Sequence, residues 1–265
     1  MIRSSLSLTN KGLKMYQKLL IHLLILGFWL LIWESLYRYV GRAILVVSPV
    51  DTLIRILELG QTAIFWTTIY GTTLRVLEGV CWAFLFGATL AILTHRYDIL
   101  KQLFEPMLGI IRTIPVASII ILALIWLPVL RTPVFTVFLT VTPMIWSNIY
   151  EGLGVVDINL LEMAQVFKWK TIKKWRYIYL PTIAPYVASS LSTGIGAAWR
   201  TAIGTEVIAR PAGSIGRMIY DSRIHLRTLD LFAWTVVVLI LSISIVTAVT
   251  KILHHISHKL TEDRS

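Results

Sequence analysis

The sequence predicts an all-α integral membrane protein with about six transmembrane helices, and three observations carry that prediction. The 265-residue chain is 56% hydrophobic and only 15% charged, with a mean hydropathy of +0.74, far from a soluble globular average. Apolar runs near 19–40, 71–94, 107–129, 133–150, 182–208 and 229–253 are each about long enough to cross a bilayer core, which takes ~20 helical residues. Helices are required there because hydrocarbon offers backbone amides no partner except one another. Finally, all ten lysines fall in the N-terminal segment, the 95–112 connection, the 151–181 loop or the C-terminal end.

Those four lysine-bearing stretches lie on one side of a six-span layout, so the positive-inside rule makes that side the cytoplasm and places both termini there. Arg42, Arg55, Arg131, Arg210, Arg217, Arg223 and Arg227 then lie outside and need a separate account. The formal charge of +11 is largely topological and calls for no nucleic acid. The first apolar run is too long, and too rich in Trp and Tyr, for a cleaved signal peptide. A single cysteine, Cys81, excludes an intramolecular disulfide or a thiolate cluster and is expected to be a buried apolar side chain within its span.

Each element has its local reason. Residues 1–18 are polar, basic and Ser-rich, a tail ahead of the first span at 19–40. Ser48-Pro49-Val50-Asp51 reads as a helix cap followed by proline, opening a short amphipathic helix over 51–59 on the outer surface. The second span carries Arg75 and Glu78 one turn apart, which are expected to pair with each other. Gly109-Ile110-Ile111-Arg112-Thr113-Ile114-Pro115 leads into the third span, where Pro115 and Pro128 remove backbone donors and predict kinked or broken segments, structural or gate-forming. In the fifth span, Thr193-Gly194-Ile195-Gly196-Ala197-Ala198 is a small-residue stripe suited to close helix packing. His254, His255 and His258 follow the last span, where interfacial polar residues are ordinary, and no metal site is expected.

Between the fourth and fifth spans lies a polar, lysine-rich loop whose residues keep a distinctive spacing. Glu162-Met163-Ala164 is followed by Lys168, nine further residues, and Ile178-Tyr179-Leu180-Pro181. This resembles the cytoplasmic coupling loop of ABC importer permeases, written E-A-A, three residues, Gly, nine residues, I-x-L-P. Met163 stands for the first Ala of the family pattern, and Lys168 stands for the Gly that permits a sharp turn. The sequence therefore predicts one short helix over Glu162–Phe167, a second over Thr171–Tyr177, and at Lys168 either a different bend or one continuous helix. The resemblance extends over roughly 48–255 and is nearest the nitrate, sulfonate and taurine subgroup, through Leu74-Arg75, Arg112-Thr113-Ile114-Pro115, Glu206, Gly213-Ser214-Ile215-Gly216 and Arg227-Thr228.

The resemblance implies a type I ABC importer permease fold: a cytoplasmic tail at 1–18, a transmembrane permease domain at 19–255 with its coupling loop at about 155–181, and a cytoplasmic tail at 256–265. It also implies a multi-pass protein of a prokaryotic cell membrane, working with cytoplasmic ABC ATPase subunits, an extracytoplasmic solute-binding protein and a second permease copy. Glu162, Ala164, Phe167, Lys168, Trp169, Ile178, Leu180 and Pro181 would couple to the ATPase, with Phe167 and Trp169 as apolar anchors. A lipid-facing basic loop is the plainer alternative.

Among ionisable residues within spans, Arg200 in Ala198-Trp199-Arg200-Thr201 could line the pathway with Trp199 beside it, or could pair with Glu206 or with lipid. Trp199, Arg200, Glu206 and Arg210 are thus candidate pathway or outer-gate residues, and an anionic cargo is expected. No G-x-x-x-x-G-K-[ST] phosphate cradle occurs, so ATP would be used by the partner subunit and no cofactor is expected on this chain, which is not itself an enzyme. The rival is a self-powered secondary carrier, which often shows internal repeats and midplane charges. A membrane-embedded enzyme would need a catalytic constellation, and none stands out.

Overall fold

In the computed structural model the backbone is described for residues 2–42 and 44–262, and side chains for 20–21, 23–42 and 44–253. The side chains of Lys11, Lys14, Lys18, His254, His255, His258 and Lys259 lie outside these described residues. The helices in chain order are α1 (Ile2–Val40), α2 (Pro49–Gly60), α3 (Ala63–Arg96), α4 (Asp98–Thr113), α5 (Val116–Trp126), α6 (Thr132–Gly154), α7 (Ile158–Val166), α8 (Thr171–Lys174), α9 (Leu180–Ala209), α10 (Ile215–Ile224) and α11 (Thr228–Glu262). The polar stretch at 1–18 continues the helical backbone of α1 from Ile2, and α11 likewise runs to Glu262.

Among the described residues, four helices are long and apolar enough to cross a membrane: Leu23–Val40 within α1, then α3, α6, and Thr228–Leu253 within α11. These fall on four of the six expected runs. The fifth run, 182–208, falls on α9, whose 30 residues interleave Ser, Thr, Arg200 and Glu206 with the apolar positions. The expected span at 107–129 is not one helix. It is α4 and α5 meeting at a bend of 105°. Pro115 is the cause, because its ring drives Ile114 to extended backbone (φ −67°, ψ 130°) and it can donate no helical hydrogen bond. Pro128 acts the same way on Leu127, which ends α5.

The core is formed by α3, α6 and α9 packed side by side, with α11 against α9. Small residues set the approach between α3 and α6. A Cβ added at Gly79 would stand 2.7 Å from Val137 Cβ, so only glycine allows that contact. Buried hydroxyls then bond across the seams: Thr136 Oγ1 to Thr205 Oγ1 at 2.9 Å, and Trp146 Nε1 to Thr94 Oγ1 at 2.9 Å. Polar groups so placed would be costly in hydrocarbon without partners. By contrast α1 is exposed on nearly all its described faces, held mainly by Trp33, which donates to Val47 O at 2.9 Å and stacks on Phe232 at 5.9 Å.

Ser48 caps α2 as expected, its Oγ accepting from Val50 N at 3.2 Å with Pro49 at the first turn. Cys81 departs from its expectation. It is exposed on α3 rather than buried, because the buried face of that helix runs through Val76, Gly79, Val80 and Ala83.

Candidate functional site

Three features carry chemistry: the loop between α6 and α9, a cavity among α5, α6 and α9, and a polar cluster where α9 meets α10.

The loop opens with Asp157, which caps α7 by accepting from Asn159 N at 2.8 Å, so the first loop helix starts before Glu162. Ala164 is buried while Glu162 is exposed. The helix ends in two reciprocal bonds, Trp169 N to Ala164 O at 2.8 Å and Lys168 N to Gln165 O at 2.9 Å. That pattern is a Schellman stop, which places its turning residue in left-handed backbone. Lys168 occupies that position with φ 52°. The expectation of a different bend or a continuous helix is therefore corrected: lysine adopts the backbone that a glycine would adopt more cheaply. Lys173 Nζ sits 4.2 Å above the Trp169 ring, and Trp169 meets Tyr177 edge-on at 6.1 Å, bracing the turn.

The expected second helix over Thr171–Tyr177 is also different. The four-residue α8 passes into a widened π turn at Trp175–Tyr179 that runs straight into α9. Ile178 and Pro181 are buried beneath it, whereas Leu180 is exposed. The loop consequently presents Ile158, Val166, Phe167 and Ile172 outward, with Phe167 68% exposed, among Lys168, Lys170 and Lys173. Exposed apolar side chains rimmed by charge at the end of a bundle are the signature of a docking surface.

The cavity has a volume of about 500 Å³ and is lined by Val116, Ala117 and Ile120 of α5, Thr140 of α6, and Arg200 and Thr201 of α9, among others. Arg200 is its single charged lining residue. Among the described residues Arg200 makes no ion pair, so the alternative of an Arg200–Glu206 contact is ruled out. Trp199 does not join Arg200 in the cavity. It is 1% exposed in the core, since consecutive helical residues point about 100° apart.

Glu206 is wholly buried and structural in its contacts. Its Oε1 accepts from Arg75 Nε at 2.9 Å, and its Oε2 from Thr72 Oγ1 at 2.9 Å and Gly216 N at 3.2 Å. Thr72 Oγ1 in turn accepts from Ile215 N at 3.0 Å, and Arg75 Nη2 donates to Gly213 O at 2.9 Å. The cluster ties α3 and α9 to the start of α10. The expected Arg75–Glu78 pair is corrected accordingly, because Arg75 reaches inward to Glu206 while Glu78 pairs with Arg131 at 2.6 Å. Arg210 ends α9 in left-handed backbone (φ 57°) and lies over the Tyr220 ring at 4.7 Å, away from the cavity lining.

The outward arginines mostly find local partners. Arg55 bonds Asp230 at 2.6 Å and Glu58 at 2.7 Å, and those hydrogen bonds hold its guanidinium above its ordinary pKa. Arg227 also approaches Asp230, and Arg217 approaches Asp221. Among the described residues no group of three or more His, Cys, Asp or Glu side chains converges. Thr72, Thr140 and Thr201 were not singled out from the sequence, where threonines in apolar helices look alike until the packing is known.

The model of the family described as binding-protein-dependent transport system inner membrane component matches residues 83–262. A protein of Brucella melitensis named as a probable ABC transporter permease is 30% identical over 181 residues, covering 66% of this chain and 72% of its own. A bicarbonate transport system permease of Synechococcus elongatus is 27% identical over 160 residues, covering 60% of this chain and 57% of its own. A nitrate import permease of Leptolyngbya laminosa is 26% identical over 167 residues, with the same shares of 60% and 57%. Among solved structures, the inward-facing methionine ABC transporter aligns with TM-score 0.58 at 16% identity, over 74% of this chain and 94% of that one.

Proposed function

Because the chain belongs to the family of binding-protein-dependent transport system inner membrane components, we propose that it forms the translocation path for a small anionic nutrient, driven by a separate ATPase. As a permease component of a binding-protein-dependent ABC importer it is a multi-pass membrane protein, and the secondary-carrier alternative falls away.

The observation that carries the anionic cargo is Arg200. A guanidinium on a mostly apolar cavity wall, with Thr140 and Thr201 also on the lining and no carboxylate paired to it, favours a negatively charged guest. Relatives named for bicarbonate and nitrate support the same class. In this reading the cavity is completed by a second copy of the chain. The loop from Asp157 to Pro181 docks the ATPase through Phe167 and Val166, with Glu162 accepting charge-assisted hydrogen bonds worth ~1.5–3 kcal/mol. In this reading the loop and both termini are cytoplasmic, which the lysines of the loop support through the positive-inside rule. ATP-driven closure of the ATPase pair moves the loops and switches which side of the cavity is open, which requires that the two states differ in their fit to cargo and nucleotide.

The test is uptake of labelled nitrate and bicarbonate by the complete transporter, beside Arg200→Gln. Loss of at least ten-fold in the variant, with the ATPase still co-purifying, supports the anion path. Uptake indifferent to Arg200→Gln overturns it. Glu162→Arg provides the matching test of the loop, with loss of the co-purified ATPase expected.

A further inference from the structure

We propose that Thr201 is the specificity-determining hydroxyl of the cavity, donating to an oxygen of a small oxyanion held beside Arg200; the inference rests on the anionic-cargo reading above. A threonine in an apolar helix ordinarily satisfies its hydroxyl on the carbonyl one turn back. Every other threonine on α6 and α9, from Thr132 and Thr140 to Thr193 and Thr205, donates to the carbonyl four residues earlier. Thr201 does not, and among the described residues its hydroxyl has no other hydrogen-bond partner. Nor is that hydroxyl sealed in the core. Thr201 is 8% exposed, and Trp199 Nε1 is the one buried side-chain polar atom left without a partner among the described residues. The Thr201 hydroxyl therefore keeps its opening onto the cavity that the residue lines.

The surroundings leave room for a guest at that hydroxyl. Ala197, Thr201, Gly204 and Ile208 all line the cavity, and at 100° per residue they fall on one face of α9 within about 60° of one another. Arg200, also on the lining, leaves the helix one residue before Thr201. Gly204 lies ~4.5 Å further along the axis. A Cβ added there would meet no atom within 4 Å, whereas one at Gly194 would stand 3.1 Å from Val141. Close packing thus accounts for Gly194 but not for Gly204, although glycine weakens a helix interior. The bare backbone at Gly204 instead widens the cavity in front of Thr201. An undonated hydroxyl on a mostly apolar wall gains most from a charged acceptor, because O–H···O⁻ bonds are short and about twice as strong as neutral ones. A site that offers such a donor discriminates strongly in favour of guests able to accept from it.

The experiment reconstitutes the complete transporter in proteoliposomes and follows labelled nitrate and bicarbonate, with the solute-binding protein saturating so that receptor affinity does not set the rate. Thr201→Val keeps the side-chain shape without the hydroxyl, and is expected to lower the maximal uptake rate at least ten-fold. Thr201→Ser restores the hydroxyl and retains at least a third of the parent rate. Because the hydroxyl bonds nothing in the protein, Thr201→Val unfolds thermally at or above the parent midpoint. Gly204→Val extends into the open space and is expected to lower uptake at least ten-fold with the ATPase still co-purifying. Parent-like uptake by Thr201→Val or Gly204→Val overturns the Thr201 seat while leaving Arg200 intact. So does a lowered unfolding midpoint in Thr201→Val that Thr201→Ser restores, or failure of Gly204→Val to assemble. A parent that carries neither anion, or whose uptake is indifferent to Arg200→Gln, overturns the anion reading itself. Should Thr201→Val fail to assemble with its ATPase, Thr201→Ala and Thr201→Ser decide instead: equal uptake by the two overturns the seat, and retention by Ser alone supports it.

Discussion

Replacing Arg75 by Met should destabilise the fold more than any surface change, and the effect should be largely undone by a second substitution at Glu206. The Glu206 side chain is 0% exposed and that of Arg75 only 13% exposed, so the pair is shielded from solvent. Arg75→Met leaves a buried carboxylate with only Thr72 Oγ1 and Gly216 N as donors, and breaking such a pair costs about 3–5 kcal/mol. Glu206→Gln retains an acceptor for those two donors but turns an amide donor toward the guanidinium, a loss of about 2–3 kcal/mol. The double variant buries no charge and should cost only about 1–2 kcal/mol, since apolar or neutral replacement of a buried pair is often nearly neutral. The coupling between the sites is then at least ~3 kcal/mol, about 150-fold in the folding equilibrium. Unfolding in mixed detergent micelles, followed by tryptophan fluorescence for the parent, both singles and the double, measures it. Additive losses within about 0.5 kcal/mol would refute the assignment of this cluster as one coupled unit.

Three further outcomes are expected. Lys168→Gly should stabilise the loop by about 1 kcal/mol by removing the left-handed penalty, and Lys168→Val should destabilise it; slower amide exchange over 164–169 in the glycine variant is the check. Phe167→Ala should weaken ATPase binding about 30-fold, ~2 kcal/mol for an exposed aromatic anchor, while thermal unfolding of the permease alone stays unchanged. Gly216→Ala should prevent correct assembly of the Glu206 cluster, because its Cβ would fall 2.5 Å from Val207 N against backbone that cannot move aside; a variant as stable as the parent would contradict that geometry.

The linear order of residues determined what depends on short-range rules. Apolar run length marks where helices cross a membrane, Ser48-Pro49 caps α2, Pro115 breaks the third run, and the spacing from Glu162 to Pro181 marks the loop and with it the family. Even the turn at Lys168 was legible as a glycine position, although the tolerance of lysine for φ 52° was not. Partnership between distant residues was decided only by the tertiary structure. Arg75 prefers Glu206, 131 positions away, to Glu78 on the next turn, and Trp199 and Arg200, neighbours in sequence, face the core and the cavity respectively. The physical reason is that inside a low-dielectric bundle a charge is stabilised by whichever opposite charge and hydrogen-bond donors the packing brings within about 3 Å, and sequence separation has no bearing on that distance.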